Sequence, residues 1–170
     1  CHERRIEIRF VGPFVTGACR EIFERHLRRL RCKPPMTLLN GKSLEAMAAS
    51  DAALLASGTA TLECMLLKRP MVVAYRLSPV TYQLAKRLVR TRSFSLPNLL
   101  SGESLVRDLV QDEVKPETLG REVLKLVEQP QRSQRLAASF DRIHESLRRD
   151  ASQKVAETVF EMVGRREYLV

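Results

Sequence analysis

Residues Asp51–Cys64 read Asp-Ala-Ala-Leu-Leu-Ala-Ser-Gly-Thr-Ala-Thr-Leu-Glu-Cys, and this stretch decides the fold. Ala52–Ala56 is apolar at every position, the composition of a strand covered on both faces of a parallel sheet. Ser57-Gly58-Thr59 ends the strand abruptly, and Thr59–Leu67 continues with helical spacing. A strand that feeds a helix through such a turn leaves free N–H groups and the positive end of the helix dipole at its carboxyl edge, where a phosphate is favoured. Gly58 permits positive φ and a close backbone approach, and Ser57, Thr59 and Thr61 add hydroxyls. The turn matches neither a Walker motif nor a dinucleotide fingerprint, so a ligand loop and a plain helix cap both fit these residues. Glu63 adds a second feature. A capping box places Glu three residues after the cap, which is Leu62 for a Thr59 cap and Ala60 for a Ser57 cap. Glu63 lies four after Thr59, one turn in and on the same face. A carboxylate there repels phosphate but suits the two hydroxyls of a ribose; a solvated first-turn Glu favoured by the helix dipole is the alternative.

The same alternation extends in both directions. Ile6–Val11 reads as a strand stopped by Gly12-Pro13, and Thr16–Cys32 as an amphipathic helix with Ile22, Phe23, Leu27 and Leu30 on one side. Met36–Leu39 is a short apolar run, and Ser43–Ala49 a short helix with Ser43 as its cap. Met71–Tyr75 is a continuous apolar strand, Pro79–Val89 a helix, and Phe94–Leu96 a short strand. Strands near residues 6, 36, 52, 71 and 94 alternating with helices predict an α/β fold with a parallel sheet of about five strands. After Gly102 the pattern changes to helices over Pro116–Glu128, Gln131–Arg149 and Ser152–Val163. The expected division is 1–115 as the ligand-binding α/β unit and 116–170 as a helical tail.

Composition bounds the function. The chain has 170 residues, enough for one domain, or one and a fraction, with its own core. Aromatic residues are 5% and Trp is absent, which argues against base-stacking or sugar-stacking surfaces. The net charge of +9 implies an anionic partner. The bias has a focus: Cys64–Gly102 carries seven basic residues (Lys68, Arg69, Arg76, Lys86, Arg87, Arg90, Arg92) and no acidic one. In the helix Pro79–Arg92, basic residues flank Val80, Leu84, Leu88 and Val89. Such a helix either lies on an anionic bilayer or packs on the core with a solvated basic side. The four cysteines form no Cys-x-x-Cys pair and have no His at metal spacing, so reduced thiols of a cytosolic protein are the expected reading. No signal peptide or membrane-spanning run is visible, and a start at Cys1 that runs straight into a strand suggests a piece of something longer.

Arg76 follows the strand Met71–Tyr75 and lies at the same sheet edge as the turn, where a guanidinium can neutralise a diphosphate or remain a surface charge. Asn98 after Pro97 can bind a ligand or close a turn. His144 falls within a tail helix and reads as structural or solvated.

Taken together, Ser50–Cys64, Pro70–Arg76, Leu84–Val89, Ser95–Leu100 and Gln111–Glu113 resemble, in order and spacing, the bacterial lipid-A-disaccharide synthase family over about residues 6–163. The resemblance implies a GT-B glycosyltransferase, of which this chain is the Rossmann-like C-terminal donor-binding part. It implies transfer of 2,3-diacylglucosamine from UDP-2,3-diacylglucosamine to 2,3-diacylglucosamine 1-phosphate, with inversion, release of UDP and no metal or cofactor. It also implies a cytoplasmic enzyme held peripherally on the anionic inner membrane. By position, Ser57, Gly58, Thr59 and Thr61 would line the diphosphate site and Glu63 would take the ribose. Arg76, Asn98, Gln111 and Glu113 would complete the donor side. The family's acceptor domain and a Gly-Ser-Arg loop early in its donor domain are not in this sequence, so the catalytic base is expected outside it and the 170 residues alone are expected to be inactive. The apolar stripes of the tail helices would then favour a homo-oligomer. Two other readings remain: a UDP-sugar 2-epimerase-like domain, against which the acid-free stretch 64–102 speaks, and a nucleic-acid-binding module, whose charge would be spread over a recognition helix or aromatic platform.

Overall fold

The computed structural model describes residues 7–78, 81–82, 93–148 and 150–164. Its elements are β1 (Phe10–Phe14), α1 (Gly17–Arg28), β2 (Met36–Asn40), α2 (Ser43–Ala48), β3 (Ala53–Ala56), α3 (Thr59–Leu66) and β4 (Met71–Tyr75). They continue as α4 (Leu96–Ser101), β5 (Arg107–Val110), a single 3-10 turn at Gln111–Glu113, α5 (Pro116–Glu128), α6 (Pro130–Leu147) and α7 (Ala151–Gly164). Every strand pairing is parallel. The fold is the expected Rossmann-like α/β arrangement followed by helices. Its five strands hydrogen-bond as two sheets, β1-β2 and β3-β4-β5.

The second sheet positions the core. Met71 and Val73 alternate to one face of β4 and join Met65, Cys64, Met47, Leu136 and Phe140. Val72 points to the opposite face and meets Leu109 and Leu126. Helices α3 and α6 therefore cover one face and α5 the other, so β4 is buried over Met71–Val73 and half-buried at Ala74 and Tyr75. Phe140, completely buried, carries α6 into the core. Lys68 fastens the same joint: its ammonium donates to the Phe140 carbonyl (3.2 Å) and to Nδ1 of His144 (3.0 Å), and pairs with Asp141 (3.0 Å). His144 is thus a structural partner of Lys68, just after α3.

Three local expectations are corrected. Phe94–Leu96 is not a strand: Pro97 occupies the first turn of helix α4, and the N–H groups of Phe94 and Ser95 donate to a side chain, Asp108 Oδ2, at 2.9 and 3.2 Å. The fifth strand is Arg107–Val110, whose polar start hid it from the apolar-run criterion. The first strand begins at Phe10 and runs through Gly12-Pro13. Residues 10, 12 and 14 face β2, so the N–H that Pro13 lacks would have pointed to the unpaired side and costs nothing. Ser43 is the first residue of α2 and not its cap, which is Lys42 in the left-handed region at φ 58°. The helix expected at Pro79–Val89 lies largely outside the described residues. Its entry is visible, with Ser78 Oγ accepting from Thr81 N–H at 3.2 Å.

Candidate nucleotide-sugar site

The sheet edge is built by register. Ala56 sits opposite Ala74, and Ser57 N–H still donates to the Ala74 carbonyl at 3.2 Å. Gly58 follows directly on Ser57, and Arg76 directly on Tyr75 at the end of β4. Gly58 is the N-cap of α3 at φ 151°, a conformation that disfavours any side chain. Nothing lies within 4 Å of where a Cβ would be, so the constraint is backbone geometry and the space above the turn is open. Thr61 N–H is taken by the Gly58 carbonyl at 3.1 Å. The N–H groups of Thr59 and Ala60 are left at the mouth of the helix, as at any helix start without a side-chain cap.

The hydroxyls divide in two. Ser57 Oγ donates to the Phe94 carbonyl at 2.6 Å. Thr61, fully buried, donates to the Gly58 carbonyl at 2.7 Å and accepts from Leu96 N–H at 3.4 Å. These two knit the turn to residues 94–96. Thr59 is exposed beside the open N–H groups, Glu63 is half-buried one turn further in, and Arg76 is exposed.

The remaining predicted residues shape the loops around this mouth. Asn98 is buried and forms a closed pair with Val106: Nδ2 donates to the Val106 carbonyl and Oδ1 accepts its N–H, both at 2.9 Å. Gln111 does the same for Leu77, accepting from its N–H at 2.7 Å and donating to its carbonyl at 3.2 Å, and so fixes the segment that leaves Arg76. Glu113 pairs with Arg107 at 2.6 Å. Tyr75 and Phe94 stack at 5.5 Å, closing the seam between β4 and the residue that receives Ser57.

Asp108 was missed by sequence reasoning. Its carboxylate holds the Phe94–Ser95 backbone against which Ser57 and Thr61 dock. Its second oxygen and the buried Ser95 hydroxyl have no partner. The available signal was an acid just ahead of the apolar pair Leu109-Val110, since a carboxylate drawn into a sheet must find N–H donors.

Among the described residues no group of three His, Cys, Asp or Glu side chains comes together, and no helix is long and apolar enough to cross a membrane.

A family model described as lipid-A-disaccharide synthetase matches residues 3–163. The chain belongs to the lipid-A-disaccharide synthetase family. It is 51% identical over 158 residues to the lipid-A-disaccharide synthase of Azotobacter vinelandii, covering 93% of this chain and 41% of that one. The Pseudomonas aeruginosa enzyme of the same name is 48% identical over 159 residues, covering 94% and 41%. That of Erwinia tasmaniensis is 47% identical over 160 residues, covering 94% and 42%. The chain thus spans about two fifths of the length of the curated relatives it matches.

Proposed function

We propose that this member of the lipid-A-disaccharide synthetase family supplies the UDP-sugar half of the reaction that joins 2,3-diacylglucosamine, carried on UDP, to 2,3-diacylglucosamine 1-phosphate. The observation that carries the reading is the uncapped helix start at Gly58–Thr59, open above the turn, with the half-buried Glu63 one turn further in and the exposed Arg76 directly after β4. The Thr59 and Ala60 N–H groups and the helix dipole receive the diphosphate, and Thr59 adds a hydroxyl. Glu63 accepts from the ribose hydroxyls, where its charge is one turn removed from the phosphates. Arg76 faces the negative charge that develops on UDP as the glycosidic bond breaks. Fixed N–H dipoles and a guanidinium at that point lower the barrier because they need no rearrangement as charge appears. In this reading the transfer inverts the anomeric centre and uses no metal, the charge on UDP being met by these groups. Ser57 and Thr61 hold the turn, and Asn98, Gln111 and Glu113 hold the loops.

In this reading residues 1–115 form the donor unit, and the helices after 116 pack on it through α5 and α6. The acceptor site and the catalytic base belong to the rest of a full-length synthase. The enzyme works at the cytoplasmic face of the inner membrane, where the basic stretch 64–102 meets anionic headgroups.

Titration of the chain with UDP and with inorganic pyrophosphate tests the site. Glu63→Ala is expected to weaken UDP roughly tenfold, about the worth of a hydrogen bond to a charged group, and to leave pyrophosphate within about twofold. Arg76→Ala is expected to weaken both. Equal losses of the two ligands in Glu63→Ala would remove the ribose assignment.

A further inference from the structure

Helices α5 and α6 lie on opposite faces of the β3-β4-β5 sheet and are joined by Gln129 alone. The chain must therefore round the end of the sheet between them. It does so at the amino end of the strands, with Leu126 packed with Val72 on one face and Leu136 with Met71 on the other. The passage leaves a cleft of about 220 Å³ under the starts of β4 and β5. Its floor is apolar and buried, made by Met71, Val72, Val106, Leu126 and Leu136. Its rim carries the exposed guanidinium groups of Arg107, Arg132 and Arg135. A water takes up about 30 Å³ of liquid, so the chain leaves this floor uncovered over several water volumes.

The charges at the rim are unequal in standing. Arg107 pairs with Glu113 at 2.6 Å, and the half-buried Glu122, which also lines the cleft, pairs with Lys125 at 2.6 Å. Those charges are balanced within the fold. Among the described residues Arg132 and Arg135 have no carboxylate partner. They stand three positions apart on α6, where side chains are neighbours and like charges repel. Two unpaired guanidinium groups held side by side over an apolar floor are unfavourable until an anion stands between them.

We propose that this cleft is a second ligand site, for a phosphomonoester that carries a short hydrocarbon chain. Arg132 and Arg135 hold the phosphate, and the chain lies on Val106, Leu126 and Leu136. A phosphomonoester is close to doubly charged at neutral pH. Its three terminal oxygens engage two guanidinium forks more fully than the two oxygens of a carboxylate do. The volume limits the rest of the ligand. Pockets that enclose drug-sized molecules run to ~300–1,000 Å³, so the cleft takes a headgroup and a few carbons and excludes a nucleotide sugar. The Gly58 turn lies at the carboxyl end of β3, and the length of β4, about 13 Å from Met71 to Tyr75, separates it from the cleft. The two sites fill independently.

Titration of the chain with hexyl phosphate, hexanol and inorganic phosphate, followed by NMR, tests the site. Hexyl phosphate is expected to bind at least ~10-fold tighter than either fragment. It is expected to shift the methyl groups of Val106, Leu126 and Leu136, to leave the Gly58 and Thr59 amides in place, and to stay bound when UDP is added. Arg132→Gln and Arg135→Gln change exposed side chains without ion pairs, so the fold is kept. Each is expected to weaken hexyl phosphate ~10-fold and to leave hexanol within about twofold. Vesicles of phosphatidylcholine with phosphatidic acid give the source of the phosphate. Co-sedimentation that both arginine variants lose supports the site and assigns it a lipid headgroup; hexyl phosphate binding without such co-sedimentation supports it and assigns a soluble ligand. Four results overturn the proposal: no binding of hexyl phosphate, hexanol or inorganic phosphate bound as tightly, shifts at Gly58 and Thr59 in place of the cleft methyls, or arginine variants that bind like the parent.

Discussion

Cys64 lies on α3 behind the Gly58 turn with no exposed surface, and burial pushes its thiol up to about 12, with the nearby Arg69 guanidinium pulling partly the other way. A thiol held neutral is a poor nucleophile, so alkylation read by peptide mass spectrometry is expected to modify the exposed Cys19 and Cys32 and to spare Cys64 until the chain unfolds. The same shift makes stability pH-dependent. Below about pH 9 the thiol is protonated in both states and contributes no slope. Between about 9 and 12 the unfolded chain loses that proton and the folded chain keeps it, so stability falls as pH rises, at up to roughly 1.4 kcal/mol per pH unit from this group. Chemical denaturation of Cys64→Ala beside the parent isolates the effect, because the variant loses that part of the alkaline decline. Asp108 gives a second test at this scale. Asp108→Ala strands the buried N–H groups of Phe94 and Ser95 and is expected to cost about 2–4 kcal/mol. Asp108→Asn, which retains an acceptor oxygen, is expected to cost less than about half as much. Equal losses in denaturant melts would show that the carboxylate's charge, and not its acceptor geometry, holds that backbone.

Elements were legible where one local signal sufficed. β3, α3 and β4 follow from an apolar run, a turn and a second apolar run, and their bounds match the reading within a residue or so. Pro116 marked the start of α5. The signal failed where side chains replace the backbone ladder. Phe94–Leu96 has strand composition, yet its N–H groups are satisfied by Asp108 from fourteen residues away, and only the tertiary fold brings that acid within reach. Asn98 was read as an amide that binds a ligand or closes a turn; it lies in helix α4, and its two bonds to Val106 depend on the return of the chain into β5. That pairing ties α4 to the start of β5. Asn98→Ala leaves a buried N–H and a buried carbonyl unpaired and is expected to cost about 2–3 kcal/mol. Asn98→Asp keeps the acceptor for Val106 N–H but sets a carboxylate against the Val106 carbonyl, and is expected to be no better than Ala at neutral pH. Thermal melts of the two variants check the order; an Asp variant as stable as the parent would mean that the donor half of the pair is dispensable.

At the scale of the molecule, the chain divides into a core that closes and a face that does not. Helix α6 inserts Leu136, Phe140 and Ile143 into the core of the β3-β4-β5 sheet, so most of the tail is part of the folding unit. Helix α7 contributes nothing to either core cluster. Its apolar residues Val155, Val159, Met162 and Val163 fall at i, i+4, i+7 and i+8, the spacing of a buried stripe, yet all are more than half exposed and the adjacent Phe160 is 77% exposed. The stripe was legible from its period. Its lack of a partner was not, because periodicity reports which face is apolar and not what covers it. Two consequences separate cleanly. Replacing Val155 and Val159 with Asp together is expected to leave the thermal midpoint within about 2 °C of the parent, since no core contact is lost. The same double substitution is expected to suppress concentration-dependent association measured by sedimentation, because an exposed apolar stripe of this kind drives self-association in water. A large drop in midpoint would place α7 in the folding unit. Unchanged association would move the adhesive surface elsewhere.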